Sequence, residues 1–245
     1  MEVSITGAKI YYVIPGINYP ITQTVVNAWI AMVVIVGLCI WLTRGMQVHA
    51  RTKRQVVAEM IVQMAQKLVR GNMGAKWDNF IPFIAAILSM SVVSSLMGLT
   101  GAYSPTNDLN TFLAWGILVF VLITYHKIKA NGFGGYLKGF TEPIFVMTPM
   151  NIISEIATPV SMSLRHFANI CSGYVIGLLL YAALGAVSQM IFFWLPGSLG
   201  TIPFLQVGIP AVLNVYFSVF SGCVQPYIFC MLTMQFVAQA AGTEE

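Results

Sequence analysis

Apolar residues run along this chain in long blocks, separated by short stretches that are charged or rich in glycine and proline. Residues 21–43 carry no charge and are long enough to cross a bilayer, so they predict a first membrane-spanning helix. Arg44, Arg51, Lys53 and Arg54 follow at once. Residues 52–70 follow a different pattern. Val56, Val57, Met60, Met64 and Leu68 recur at spacings of three and four, with Arg54, Glu59, Lys67 and Arg70 elsewhere on the wheel. That segment is too charged to span and predicts an amphipathic helix lying along the interface, apolar face down. Residues 80–100 and 111–125 predict two more spans. The loop between them holds Pro105 and Asp108 and no basic residue.

After residue 125 come His126, Lys127, Lys129 and Lys138 in a glycine-rich stretch, which predicts a basic loop with His126 as a solvated flank residue. Residues 139–150, with Glu142, Pro143 and Pro149, are too short and too broken for a span and predict an interfacial or re-entrant piece. Two long apolar helices are expected at 151–184 and 207–241, joined by an uncharged connection around Pro196, Gly197, Gly200 and Pro203. The fold class is therefore all-α integral membrane, with about five crossings and one interfacial helix in a single transmembrane domain, 1–245. Both basic stretches fall on one side of this arrangement. By the positive-inside rule that side is cytoplasmic, so residues 1–20 lie outside and the C-terminus inside. Residues 1–20 lack a basic region followed by a cleavage site, so a removable signal peptide is not expected.

Each long C-terminal helix carries one polar stripe. At about 100° per residue, Thr158, Ser161, Asn169 and Ser172 all fall within about 40° of Arg165. Arg165 is the only full charge between Glu155 and Glu244. On the second helix Asn214, Ser218, Ser221 and Gln225 align, and Pro226 removes a backbone donor and can kink the helix there. Two such stripes are expected to face each other or a common partner, which makes Gln225 a neighbour of Arg165. Polar stripes also simply hold membrane helices together, and for the serines and threonines that reading stays open. For Arg165 it is weaker, because a guanidinium near the bilayer centre costs about 2.5–3.5 kcal/mol on insertion scales. Such a charge is expected to act on an ion or a charged partner.

Composition agrees with this class. Hydrophobic residues make up 58% of the 245 and charged residues only 8%, with a mean hydropathy of +0.80; soluble domains carry about 25% charged residues. The net charge of +4 comes from loops flanking apolar spans, so nucleic acid is not an expected partner, whereas a lipid bilayer is. Cys39, Cys171, Cys223 and Cys230 lie in apolar segments without a paired spacing and read as small buried hydrophobes. With three histidines, no metal site and no cofactor is expected.

The run from Pro159 to Asn169, Pro-Val-Ser-Met-Ser-Leu-Arg-His-Phe-Ala-Asn, together with Gln225-Pro226-Tyr227, resembles subunit a of the F-type ATP synthase membrane sector. Asn151-Ile152-Ile153-Ser154-Glu155 and the stretch from Gly135 to Phe140 also fit, so the resemblance covers most of the chain. It implies a non-catalytic stator subunit of the bacterial plasma membrane, beside a ring of c subunits and with stator b subunits and the rest of the complex as partners. Half-channels would carry protons or sodium ions to and from the ring carboxylates. The resemblance makes Arg165 the essential arginine that separates them, with Asn169 one turn on and Gln225 beside it. It places Glu155 and Asn151 at one channel mouth. Ser161, Asn214, Ser218 and Tyr174 complete the expected ion path. Three positions depart from the family pattern: Tyr174 and Ser218 stand where many members have Glu or His, and His166 where leucine is common. The competing expectation is a stand-alone transporter or channel that uses Arg165 as an anion site, but the chain shows no internal repeat.

Overall fold

The computed structural model describes residues 9–16, 19–47, 52–99, 104–141, 145–192 and 204–242. The first described element is a hairpin that the sequence did not announce. Strands β1 (Ile10–Ile14) and β2 (Tyr19–Thr22) pair antiparallel, with Val13 opposite Pro20, Ile14 opposite Tyr19 and an irregularity between Ile10 and Tyr12. Gly16, in the turn, has φ 119, which only glycine adopts readily. The hairpin is tied to the next element by the Gln23 N–H, which donates to the Lys9 carbonyl at 2.8 Å.

Among the described residues all remaining regular structure is helical. Helix α1 spans Gln23–Thr43, α2 Lys53–Met73 and α3 Ile81–Leu99; a 3-10 turn, Ala75–Phe80, leads into α3. Helix α4 spans Leu109–Thr141, α5 Thr148–Phe192 and α6 Phe204–Ala240. Among the described residues, Gln23–Thr43, Ala75–Gly98, Leu109–Thr141 and Phe145–Ser188 are long and apolar enough to cross a membrane. The chain is an all-α integral membrane protein of the multi-pass kind. Helix α6 carries no acidic or basic residue in its 37 positions.

Helix α5 packs between α4 and α6, and α6 packs in turn on α3 and α2. The shared core combines Val69 and Met73 of α2, Ile84 of α3, Val119 and Ile123 of α4, Met162 of α5 and Phe229, Met234 and Val237 of α6. Outside it the helices keep apolar side chains uncovered, Val33 and Ile40 of α1 among them. In water that surface would be costly, whereas hydrocarbon accepts it. Two glycines sit where another helix leaves no room for a Cβ. A Cβ on Gly116 of α4 would stand 2.0 Å from the Ser163 hydroxyl of α5, and one on Gly222 of α6 would stand 2.6 Å from the Ser95 Cβ of α3.

Several expected boundaries move. The helix of the third span does not end at 125: α4 continues through the expected basic loop to Thr141, broken only at Gly132 (φ 70, ψ 165). The first charges mark where the apolar run stops, but a helix need not stop there, since its backbone bonds are satisfied internally. In the 139–150 stretch, α5 already starts at Thr148 after a 3-10 turn at Phe145–Met147; Glu142 and Pro143 lie outside the described residues. Helix α6 runs through Pro226 as one element. His126 is not a solvated flank residue: it is half-buried, 5.1 Å from Trp77 and 5.3 Å from Tyr125 between ring centroids, with Nδ1 2.8 Å from the Leu122 carbonyl oxygen. The cysteines also differ from expectation. Cys230 is buried, but Cys39 and Cys223 are exposed on their helices. In α2, Val56, Val57, Met60 and Met64 are exposed, while Leu68 packs on the core. At the end of α2, Arg70 Nε and Nη2 donate to the two Asp78 oxygens at 2.8 and 2.6 Å, which raises the Arg70 pKa. Both side chains are exposed, so this pair adds little stability.

Candidate functional site

The α5 stripe faces outward. Ser161, Arg165, Asn169 and Ser172 are all exposed on the bundle surface, and Thr158 is half-buried. Arg165 makes no ion pair or hydrogen bond with any described residue. Its neighbour one turn on is tied to α6: Asn169 Nδ2 donates to Gln225 Oε1 at 2.7 Å. Gln225 is buried, as is Pro226 beside it. One bond therefore joins the two stripes among the described residues, and it comes from Asn169 rather than from Arg165, the expected neighbour of Gln225. The side chains of Tyr174, Asn214 and Ser218 lie outside the described residues.

His166, next to Arg165 and about 100° further around the helix, is fully buried. Its ring lies 4.2 Å from Phe112 and 6.3 Å from Trp115 of α4 and 5.9 Å from Phe229 of α6. Ser91 of α3 brings its hydroxyl 3.5 Å from Nε2. Four helices therefore meet on this one side chain. Sequence reasoning gave it no role; the nearby aromatic positions of α4 and α6 were the available signal.

Glu155 and Asn151 come together at a second place. They line a cavity of about 530 Å³ with Thr158 and Pro159 of α5, Lys127 and Tyr136 of α4 and Gln239 of α6. Lys127 Nζ donates to Glu155 Oε2 in an ion pair across α4 and α5. The other oxygen, Oε1, is buried with no partner. Asn151 Nδ2 donates to the Phe140 carbonyl at 2.9 Å, closing the far wall. Pro159 interrupts the helix ladder here, because it has no N–H to offer the Glu155 carbonyl one turn back. Lys127 was missed because the sequence put it in a loop. Thr158 joins the two places, since it lines the cavity and also lies on the Arg165 stripe, seven residues or about 10 Å of helix rise away. Among the described residues no group of three His, Cys, Asp or Glu side chains could hold a metal ion.

An exposed arginine stripe bonded to α6 through Asn169 thus lies near a polar cavity that holds a carboxylate. The ATP synthase A chain family matches residues 25–238. The chain belongs to that family. It is similar to ATP synthase subunit a 1 of Prosthecochloris aestuarii, with 31% identity over 228 residues, covering 92% of each chain. It is also similar to ATP synthase subunit a of Desulforamulus reducens, with 31% identity over 96% of this chain and 84% of the relative. A third relative, named ATP synthase subunit a, sodium ion specific, from Propionigenium modestum, is 30% identical over 93% of this chain and 77% of its own. The protein is accordingly a non-catalytic, ion-translocating stator subunit of the membrane sector of an F-type ATP synthase.

Proposed function

We propose that this subunit forms two half-channels against a ring of c subunits, with Arg165 as the barrier between them. The observation that carries this reading is the single exposed guanidinium of α5, without a described partner and set beside the Asn169–Gln225 bond. A ring carboxylate meeting Arg165 loses its ion, because a nearby cation stabilises the charged form. Arg165 cannot give up its own proton, so it cannot pass one through. A carboxylate leaves the arginine for lipid only after it has been neutralised from the other half-channel, which biases rotation. Each charge moved through the membrane potential supplies about 2.3 kcal/mol per 100 mV.

The cavity at Glu155 and Asn151 serves as the mouth of one half-channel, and Thr158 leads from it toward Arg165. Ser161, Tyr174, Asn214 and Ser218 line the remaining path. The coupling ion is the proton, since Glu155 supplies a titratable group on the route. The N-terminus lies outside and the basic ends of α2 and α4 lie on the cytoplasmic side of a bacterial plasma membrane, with α2 along the interface and stator b subunits in the same complex. The test is Arg165→Ala and Arg165→Lys in inverted membrane vesicles. Both are expected to abolish ATP-driven ion pumping with the subunit still inserted; the lysine fails because an ammonium can lose its proton when buried. Normal pumping by either variant refutes the assigned role.

A further inference from the structure

Gln239 sits in the last turn of α6, exposed, with a neutral amide that the half-channel reading leaves without a task. Together with Phe236 and Ala240 it lines the cavity that holds Glu155 and Asn151. Together with Gln235 and Ala238 it also lines a second cavity of about 770 Å³. The far wall of that second cavity is the corner between α2 and the turn before α3, from Arg70 to Lys76. Among the described residues no other side chain lines both cavities.

Its place in the register is not arbitrary. Asn169 meets Gln225, and Glu155 shares a cavity with Gln239, so α5 and α6 run antiparallel. Gln239 follows Gln225 by 14 residues, and Glu155 precedes Asn169 by the same 14. That spacing makes about 21 Å of helix rise and returns to within about 40° of the starting direction. The two polar stripes that touch at Asn169 and Gln225 therefore come together again at the Glu155 cavity, with Gln239 as the member from α6. We propose that Gln239 is an ion-path residue standing where the Glu155 cavity joins the second one, so that water and the coupling ion enter from the corner of α2 and α3. The proposal rests on the half-channel reading and adds the entrance to it. An amide suits that place, because it donates to water and accepts from it without holding a cation by charge. Of the two cations in the second cavity, Arg70 is already held by Asp78.

The experiment uses the assembled complex in inverted vesicles, whose outer face is the cytoplasmic one, with Cys39, Cys171, Cys223 and Cys230 replaced by serine. Gln239→Cys, Gly71→Cys, Thr158→Cys and Gln63→Cys are introduced one at a time and treated, after assembly, with a bulky water-soluble maleimide. ATP-driven pumping is compared before and after labelling in the same vesicles, so a folding defect does not enter the comparison. Gly71 lines the second cavity but not the first, and the space at its Cβ is open. Thr158 lines only the first, and Gln63 lines neither. Labels at the Gln239, Gly71 and Thr158 positions are expected to cut pumping several-fold, and a label at the Gln63 position to leave it unchanged. Loss at Gln239 without loss at Gly71, or no label taken up at Gln239, means that the cavities do not join and overturns the proposal; loss at Thr158 then leaves the half-channel mouth standing. Equal loss at Gln63 makes the bulk of the label the cause and overturns the proposal too. Pumping that survives treatment at Gln239, Gly71 and Thr158 alike overturns both the entrance and the mouth.

Discussion

Gly116→Ala tests the packing on which the arginine stripe depends. The added Cβ would stand 2.0 Å from Ser163 Oγ, 3.2 Å from Ser163 Cβ and 3.1 Å from the Pro159 carbonyl oxygen. To reach even a tight contact, either α4 and α5 part by about 1 Å or Ser163 turns away. Turning breaks the 3.0 Å bond that its hydroxyl donates to the Pro159 carbonyl. Overpacking of this kind costs about 1–3 kcal/mol. Ser163 stands two residues before Arg165, so a parting of the helices also displaces the guanidinium. Large membrane assemblies unfold irreversibly, so the assay is the rate at which heat inactivates ATP-driven pumping, read beside the amount of complex in the membrane. With a factor of ten for about every 1.4 kcal/mol, inactivation is expected to be about 5- to 150-fold faster. Adding Ser163→Ala removes the 2.0 Å overlap but leaves the contacts at 3.1 and 3.2 Å, so it should recover part of the loss. A Gly116→Ala complex as durable as the parent, or one that Ser163→Ala does not relieve, refutes the close approach.

Two further outcomes follow from the site. Asn169→Ala strands the buried Gln225 oxygen and should cost about 1–3 kcal/mol of stability, read as faster heat inactivation, whereas adding Gln225→Leu should recover part of it; strictly additive losses would count against the bond. ATP hydrolysis by the purified complex should stay level across a sodium titration at fixed pH. Strong activation by millimolar sodium, with protection of the ring carboxylate from carbodiimide, would reverse the choice of proton.

The long apolar blocks and the Arg165 stripe were readable because each is a local property: hydrophobicity decides a span, and helical spacing decides which side chains share a face. Aligning two such stripes led to Gln225, but with Arg165 rather than Asn169 as its neighbour. What could not be read depends on neighbours. His126 looked like the first residue of a loop because the apolar run ends there, but Trp77 on a separate turn covers it. Lys127 carried the same flank signature, and only the continuation of α4 beside α5 brings it to Glu155. The β1–β2 hairpin escaped because its exposed Ile10, Tyr11, Tyr12 and Val13 give no alternation of buried and open positions.

His166 and Arg165 are adjacent in sequence and opposite in environment, and that contrast accounts for how the arginine is aimed. An exposed guanidinium with no described partner does nothing to fix the rotation of its own helix. The rotation has to be set from the buried side, about 100° around the axis, where His166 sits among Phe112, Trp115 and Phe229. Those rings come from α4 and α6, the two helices that flank α5. Ser163, on the same buried side, packs against Gly116 of α4 so closely that no Cβ fits there. In the role proposed for it, Arg165 would release every ring carboxylate it meets and would gain from having no tight partner of its own, since a fixed counter-charge would compete with the passing one. The fold therefore places the constraints one and two residues away from Arg165 and leaves its charge free on the surface where the ring is proposed to turn.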